Sequence, residues 1–262
     1  MDLQLTEKIA LVSGSTGGIG FAIATLLAAE GARVIVNGRG ESRVSEALGK
    51  IRAQHSEPLL ESFAGDLATE SVTVELTKRF PAVDILINNL GIFEPKPFAE
   101  IPDEDWRRFF EVNVLSGVRL SRAYLPGMLK QNWGRIVFIS SESALQTPSE
   151  MIHYGVTKTA QIAVARGLAE LTTSTGVTVK SVLPGPTRSE GVDEFVAKLS
   201  GGAPFDEFER EFFQKIRPSS LIKRFATTTE VANLVVYLAS PLSSATNGSA
   251  LRVDGGVVRS AF

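Results

Sequence analysis

Short apolar runs rich in β-branched residues alternate along this chain with longer stretches in which apolar residues return at helical spacing. The runs fall at residues 9–13, 33–37, 59–63, 84–88, 135–140 and 178–183, and the first helical stretches at 19–30 and 43–54. Runs that are apolar on nearly every residue belong in a sheet covered on both faces, and the βαβα order supplies the covering helices. The pattern predicts a doubly wound parallel sheet with helices on both faces. This is an α/β fold in a single domain over residues 1–262, because no linker, compositional break or internal repeat divides the chain.

A late helix is expected over 229–240, where Val231, Leu234, Val235 and Leu238 recur at core spacing. Before it, between residues 189 and 225, the alternation breaks. This insertion holds the turn Ser200-Gly201-Gly202-Ala203-Pro204, then a helix whose Phe205, Phe208 and Phe212 share one face opposite charged residues.

With 44% apolar and 21% charged residues the chain reads as soluble and globular. A net charge of −2 gives no electrostatic footprint for nucleic acid or an anionic membrane. The absence of cysteine excludes disulfides, thiolate metal sites and a cysteine nucleophile. The two histidines, His55 and His153, are too few for a histidine-built metal cluster, and no metal is expected. Neither a secretory signal pattern nor an uncharged apolar run of spanning length occurs, so a cytoplasmic protein is expected.

The first strand leads into Ser13-Gly14-Ser15-Thr16-Gly17-Gly18-Ile19-Gly20. Gly14 permits a tight turn, Gly18 lets backbone approach a ligand, and Gly20 lets helix pack on strand; the helix N-terminus then offers free N–H groups to a pyrophosphate. Gly14, Ser15, Thr16, Gly18, Ile19 and Gly20 are therefore candidate cofactor contacts in a Rossmann-like fold, the alternative being a plain βα turn. Residues 1–135 would form the dinucleotide-binding part and 136–262 the catalytic part. The second strand ends in Gly38 and Arg39, with Arg43 one turn later, where an acidic residue would bind a ribose 2′-hydroxyl. A guanidinium suits a 2′-phosphate, which favours NADP(H), with NAD(H) as the alternative. Asp66, followed by Leu67, is placed to meet the adenine or to cap the next helix. Asn88-Asn89-Leu90-Gly91 forms a turn that either ties strands together or lines the cofactor cleft through Asn89 and Gly91.

Past the run ending at Ser140 lie Ser141, Tyr154 and Lys158. Tyr154 and Lys158 are four apart and share one helix face. Bringing a phenol from about pH 10 towards neutrality takes roughly 4 kcal/mol. One ammonium at about 4 Å supplies that at an effective dielectric of about 20. Ser141 would then hold a carbonyl or alcohol oxygen while Tyr154 gives or takes its proton.

In this order and spacing the residues resemble the short-chain dehydrogenase/reductase family over essentially the whole chain. The glycine turn is similar to that family's T-G-x-x-x-G-x-G with Ser13 for threonine, and Ser141, Tyr154 and Lys158 match its serine and Y-x-x-x-K signature. Asn88 to Gly91 resembles N-N-A-G with Leu90 for alanine. The resemblance implies that Asn113, in an expected helix over 106–120, holds a water of a proton relay through its backbone. It implies that Pro184, Gly185 and either Thr187 or Ser189 hold the nicotinamide carboxamide, and that 189–225 is a lid over the substrate. It also implies a homotetramer, with helices over 106–120 and 154–173 at one interface. The expected activity is hydride transfer between NADP(H) and a small-molecule carbonyl or secondary alcohol, a ketone or 3-oxoacyl thioester with an apolar body. Alternatives are an NAD(H)-dependent alcohol dehydrogenase and a dinucleotide-binding sensor without turnover.

Overall fold

The computed structural model describes residues 2–192 and 204–261; residues 193–203, which hold most of the expected Ser200 to Pro204 turn, lie outside the described residues. The expected strands form β1 (Ile9–Val12), β2 (Arg33–Gly38), β3 (Leu60–Ala64), β4 (Ile85–Asn88), β5 (Gly134–Ile139) and β6 (Val177–Pro184). A seventh strand, β9 (Ala250–Val253), joins them in one parallel sheet of order β3-β2-β1-β4-β5-β6-β9. The chain leaves β1 towards β2 on one side and re-enters at β4 on the other, so a crevice opens at the carboxyl ends of β1 and β4, where such folds bind ligands.

Helices α1 (Gly18–Ala29), α2 (Glu41–Arg52) and α8 (Thr228–Ala239) cover one face, with Ala10, Val12, Val34, Val36 and Val235 in its core. The other face packs Leu11, Ile35, Leu86 and Ile136 against α3 (Glu70–Arg79), α5 (Ser116–Lys130) and α6 (Ile152–Glu170). Odd and even strand residues thus enter different cores, as the pleat requires. Thr227 and Glu230 start α8 with a reciprocal capping box.

The helix expected over 106–120 is three pieces: α4 (Asp103–Phe110), a π-helical turn (Glu111–Leu115) and α5. The π turn places Asn113 against the start of α6 and interrupts an otherwise continuous apolar period. A second departure lies around the insertion, where β7 (Thr187–Arg188) pairs in parallel with β8 (Ala226–Thr227). Between them, α7 (Phe205–Glu211) runs into another π turn, Phe212–Ile216.

Two cations lie under α8, at the end of the sheet away from the crevice. Lys180 Nζ donates to Leu238 O at 2.9 Å and Ser243 Oγ at 2.7 Å, and Arg135 Nε donates to Ser240 O at 3.1 Å. Both stabilise the carbonyl end of that helix. Burial, reinforced by Arg135, lowers Lys180 to about 7, and burial lowers Arg135 to about 10. Among the described residues no helix is long and apolar enough to cross a membrane.

Candidate active site

A cleft of about 540 Å³ opens across the carboxyl ends of β1, β4, β5 and β6. At one end it is lined by Gly14, Gly17, Ile19 and Gly20, in the middle by Asn89 to Gly91, and at the other by Ser141, Tyr154 and Lys158. Gly14 and Gly18 adopt φ of 63° and 57°, the left-handed region that favours glycine. A Cβ on Gly20 would lie 2.4 Å from Gly14 O, so only glycine lets α1 approach the turn this closely. A cradle that a methyl group would fill, at a helix N-terminus, fits a dinucleotide pyrophosphate.

The other expected cofactor contacts divide. Ser15 is fully buried, its hydroxyl donating to Val12 O at 2.8 Å and its N–H bonded to Asn37 O, so it braces the turn and does not line the cleft. Thr16 packs on Gly38, where a Cβ would lie 2.4 Å from its methyl carbon. Arg39 is exposed between β2 and α2, and Arg43, in the first turn of α2, is exposed as well. Asp66 Oδ1 accepts the Ala68 N–H at 3.0 Å in the turn before α3, whose N-cap is Thr69, so it does not cap that helix; the Leu67 side chain is in the core, which leaves only its backbone to a ligand. Asn89 spends its carboxamide N–H groups on Ser13 O at 2.9 Å and Gly14 O at 3.0 Å, tying β4 to the glycine turn. Ser13 Oγ, replacing threonine, completes the tie by accepting the Asn89 and Leu90 N–H groups.

Pro184, Gly185, Thr187 and Ser189 line the cleft. Gly185 is required where it stands, because a Cβ would lie 2.5 Å from Asp254 O. Asp254 accepts the Gly256 and Val258 N–H groups and holds the last turn, a structural role. Thr187 Oγ1 donates to Gly185 O at 2.9 Å, whereas Ser189 Oγ receives Val192 N at 3.4 Å and faces Gly18.

At the chemical end, the expected electrostatics are corrected. Lys158 Nζ donates to Ile139 O at 2.9 Å and sits 5.5 Å from the centre of the Tyr154 ring. It does not bring the phenol down. Burial raises Tyr154 above its ordinary value; the hydrogen bond with Ser141 opposes this, Glu142 adds to it, and Arg217 opposes it. Burial also lowers Lys158 to about 7. Phenol and ammonium occupy the same desolvated pocket, so each is pushed towards its neutral form.

Asn113 ties the site to its surroundings. Its Oδ1 accepts Ile92 N at 2.7 Å, its Nδ2 donates to Ile92 O and Thr157 Oγ1 at 3.0 Å each, and its main-chain oxygen receives Gln161 Nε2 at 2.5 Å. Gly91 lies between it and the lysine: a Cβ there would be 3.4 Å from both Asn113 Oδ1 and Lys158 Nζ.

The aromatic residues of α7 and its π turn do two jobs. Phe208 and Phe212 line the cleft, while Phe225, 5.0 Å from Phe212 and 5.2 Å from Phe213, docks the helix on the body. Phe205 leans outward on Phe225 at 5.7 Å and under Arg188 at 3.8 Å.

A family model described as enoyl-(acyl carrier protein) reductase matches residues 14–258. The chain belongs to the short-chain dehydrogenase/reductase family. It is thereby an oxidoreductase of the kind that interconverts CH–OH and C=O. It is similar to the uncharacterized oxidoreductase YvaG of Bacillus subtilis, at 51% identity over 100% of both chains. It is also similar to the 3-oxoacyl-[acyl-carrier-protein] reductase FabG of Aquifex aeolicus, at 32% identity over 98% of this chain and 100% of the other. The crystal structure of L-sorbose reductase from Gluconobacter frateurii, complexed with NADPH and L-sorbose, covers 99% of this chain and 100% of its own at 30% identity and a TM-score of 0.90.

Within this short-chain dehydrogenase/reductase, several contributors escape sequence reasoning. Asn37 holds the glycine turn, accepting Gly14 N and donating to Phe63 O and Gly65 O. Glu142 and Arg217 meet at 3.3 Å inside the cleft although 75 residues separate them. Only the direct sequence neighbourhood of Glu142 with Ser141 was a usable signal.

Proposed function

We propose that the chain is an NADP(H)-dependent reductase of ketones, working between a carbonyl and a secondary alcohol whose apolar body lies under the aromatic lid. One observation carries this: a single cavity joins the glycine turn to Ser141, Tyr154 and Lys158. Gly14, Gly18, Ile19 and Gly20 would hold the pyrophosphate, Arg39 the 2′-phosphate, and Pro184, Gly185, Thr187 and Ser189 the nicotinamide end. When bound, the nicotinamide supplies the hydride.

Tyr154, kept protonated by burial, would donate its proton to the reacting oxygen as charge develops there. Lys158, fixed on Ile139 O, positions the ribose side of the site, and Ser141 fixes the place of the reacting oxygen. Asn113 steadies the loop at Ile92 against α6. Phe208 and Phe212 exclude water above these groups, which strengthens every polar contact below. The exposed Phe110, Leu115 and Val156 support the expected homo-oligomer, since all three lie on the helices through which subunits would pair.

The test is titration with NADPH and NADH, followed by loss of reduced-nicotinamide absorbance on a panel of ketones and 3-oxoacyl thioesters. Arg39→Ala is expected to raise the KM for NADPH at least tenfold and leave that for NADH within about twofold. Equal effects would remove the NADP(H) assignment. Tyr154→Phe is expected to retain NADPH binding and lose turnover.

A further inference from the structure

The cavity wall beside Ser141 is built of hydrogen-bond acceptors. Ser141 Oγ donates to Glu142 Oε2 at 2.5 Å and receives the Ser143 N–H at 3.1 Å. Glu142 is 5% exposed, and its Oε1 receives Arg217 Nε at 3.3 Å. Arg217 Nη1 continues to Glu150 Oε1 and to Ile216 O, each at 3.1 Å. Glu142, Glu150 and Arg217 all line the cavity that holds Tyr154. Two carboxylates therefore share one guanidinium next to the reacting groups. The other cation on this wall, Lys158, is turned to Ile139 O.

Such a wall binds a donor. Once Ser141 turns its proton to the reacting oxygen, Glu142 Oε2 loses that donor, and a plain ketone offers it none. A thioester or carboxylate beside the reacting carbon adds further acceptors, and the carboxylate adds like charge. A hydroxyl on the neighbouring carbon supplies the missing proton.

We propose that this site takes α-hydroxyketones and the matching vicinal diols, with the reacting oxygen at Tyr154 and Ser141 and the neighbouring hydroxyl donating to Glu142. Glu142 is the specificity-determining residue. This substrate class rests on the reductase reading above. In reduction, hydride from NADPH adds to the carbonyl carbon and the Tyr154 proton to its oxygen, giving the 1,2-diol and NADP⁺; the neighbouring hydroxyl is unchanged, and solvent returns the phenol's proton.

The experiment compares acetophenone, 2-hydroxyacetophenone and phenylglyoxylate, which share an aromatic body and differ at the carbon beside the carbonyl. Each is titrated calorimetrically into the protein with NADP⁺, with which a ketone is not reduced, and NADPH oxidation is followed separately. 2-Hydroxyacetophenone is expected to bind at least tenfold more tightly than acetophenone, and phenylglyoxylate at least tenfold more weakly. Glu142→Gln is expected to shrink the hydroxyl advantage to within about threefold while NADPH affinity stays the same. Glu150→Gln, at a more exposed position that leaves Ser141 its partner, is expected to improve phenylglyoxylate severalfold and keep the hydroxyl advantage. Tightest binding of phenylglyoxylate, or no preference for the hydroxyl, overturns the proposal and gives substrate selection to the Arg217 guanidinium. The expected binding order without oxidation of NADPH supports the substrate class and refutes the reductase reading instead.

Discussion

Lys158 and Lys180 are both buried, and burial lowers both to about 7, yet one belongs to the cleft and the other to the framework. Lys180 is sealed under α8, with Leu238 O and Ser243 Oγ at 2.9 and 2.7 Å, and does not line the cleft. Lys158 has one carbonyl partner, Ile139 O, and otherwise opens on the cavity shared with Tyr154 and Gly91. Desolvation leads in both, with Arg135 adding to it at Lys180, and both are lowered, so a perturbed lysine does not by itself mark a site. What separates them is the surrounding space and the proton-bearing group that shares it.

The comparison breaks most sharply under mutation. Lys158→Met is expected to lower kcat about a thousandfold with little change in thermal midpoint, whereas Lys180→Met should keep kcat within about twofold. Steady-state kinetics and a melting scan on both variants check this; comparable kinetic losses would erase the distinction.

The next effect is on stability. The Lys180 folded value of about 7 lies below the unfolded value of about 10.4, so between them the unfolded chain binds more protons. Stability is therefore gained as pH rises through this window and lost as pH falls towards 7. From pH 7 to 9.5 the lysine contributes about 3 kcal/mol to that rise. Urea unfolding at the two pH values should show it as a difference between wild type and Lys180→Met; Lys158 titrates over the same range in both proteins and drops out. A parallel pH dependence in the two proteins would mean that Lys180 is not held near 7.

The smallest effect tests the space around Lys158. Gly91→Ala places a methyl 3.4 Å from both Asn113 Oδ1 and Lys158 Nζ, an ordinary contact. A loss of about twofold to fivefold in kcat is expected, with unchanged NADPH affinity. A loss beyond a hundredfold would show that the lysine needs that space to move.

The alternation of strands and helices, the glycine turn and the convergence of Ser141, Tyr154 and Lys158 were legible because each depends on local spacing: period, turn chemistry and one helix face. Ser15 and Asn89 were legible as neighbours of the cleft but not in their orientation, because their partners, Val12, Asn37, Ser13 and Gly14, are chosen by how β1, β2 and β4 come together. The reach of Glu142 to Arg217 across 75 residues has no periodic signature at all. The direction of the Tyr154 shift was misread for a related reason: proximity of a charge is visible in i and i+4, whereas the depth at which both groups are buried is a property of the whole fold.

The short ladder in which Thr187 pairs with Ala226 and Arg188 with Thr227 fastens the start and finish of the insertion side by side. Neighbouring strands lie about 4.8 Å apart, so whatever chain runs between them leaves and returns through one narrow gate. Doubling the length of such a tethered segment costs only about 0.6 kcal/mol. The segment is in effect a replaceable cartridge: exchanging residues 190–225 with those of another family member should carry over the part of the substrate wall that Phe208, Phe212 and Arg217 form, with Glu142 and the cofactor grip left as they were.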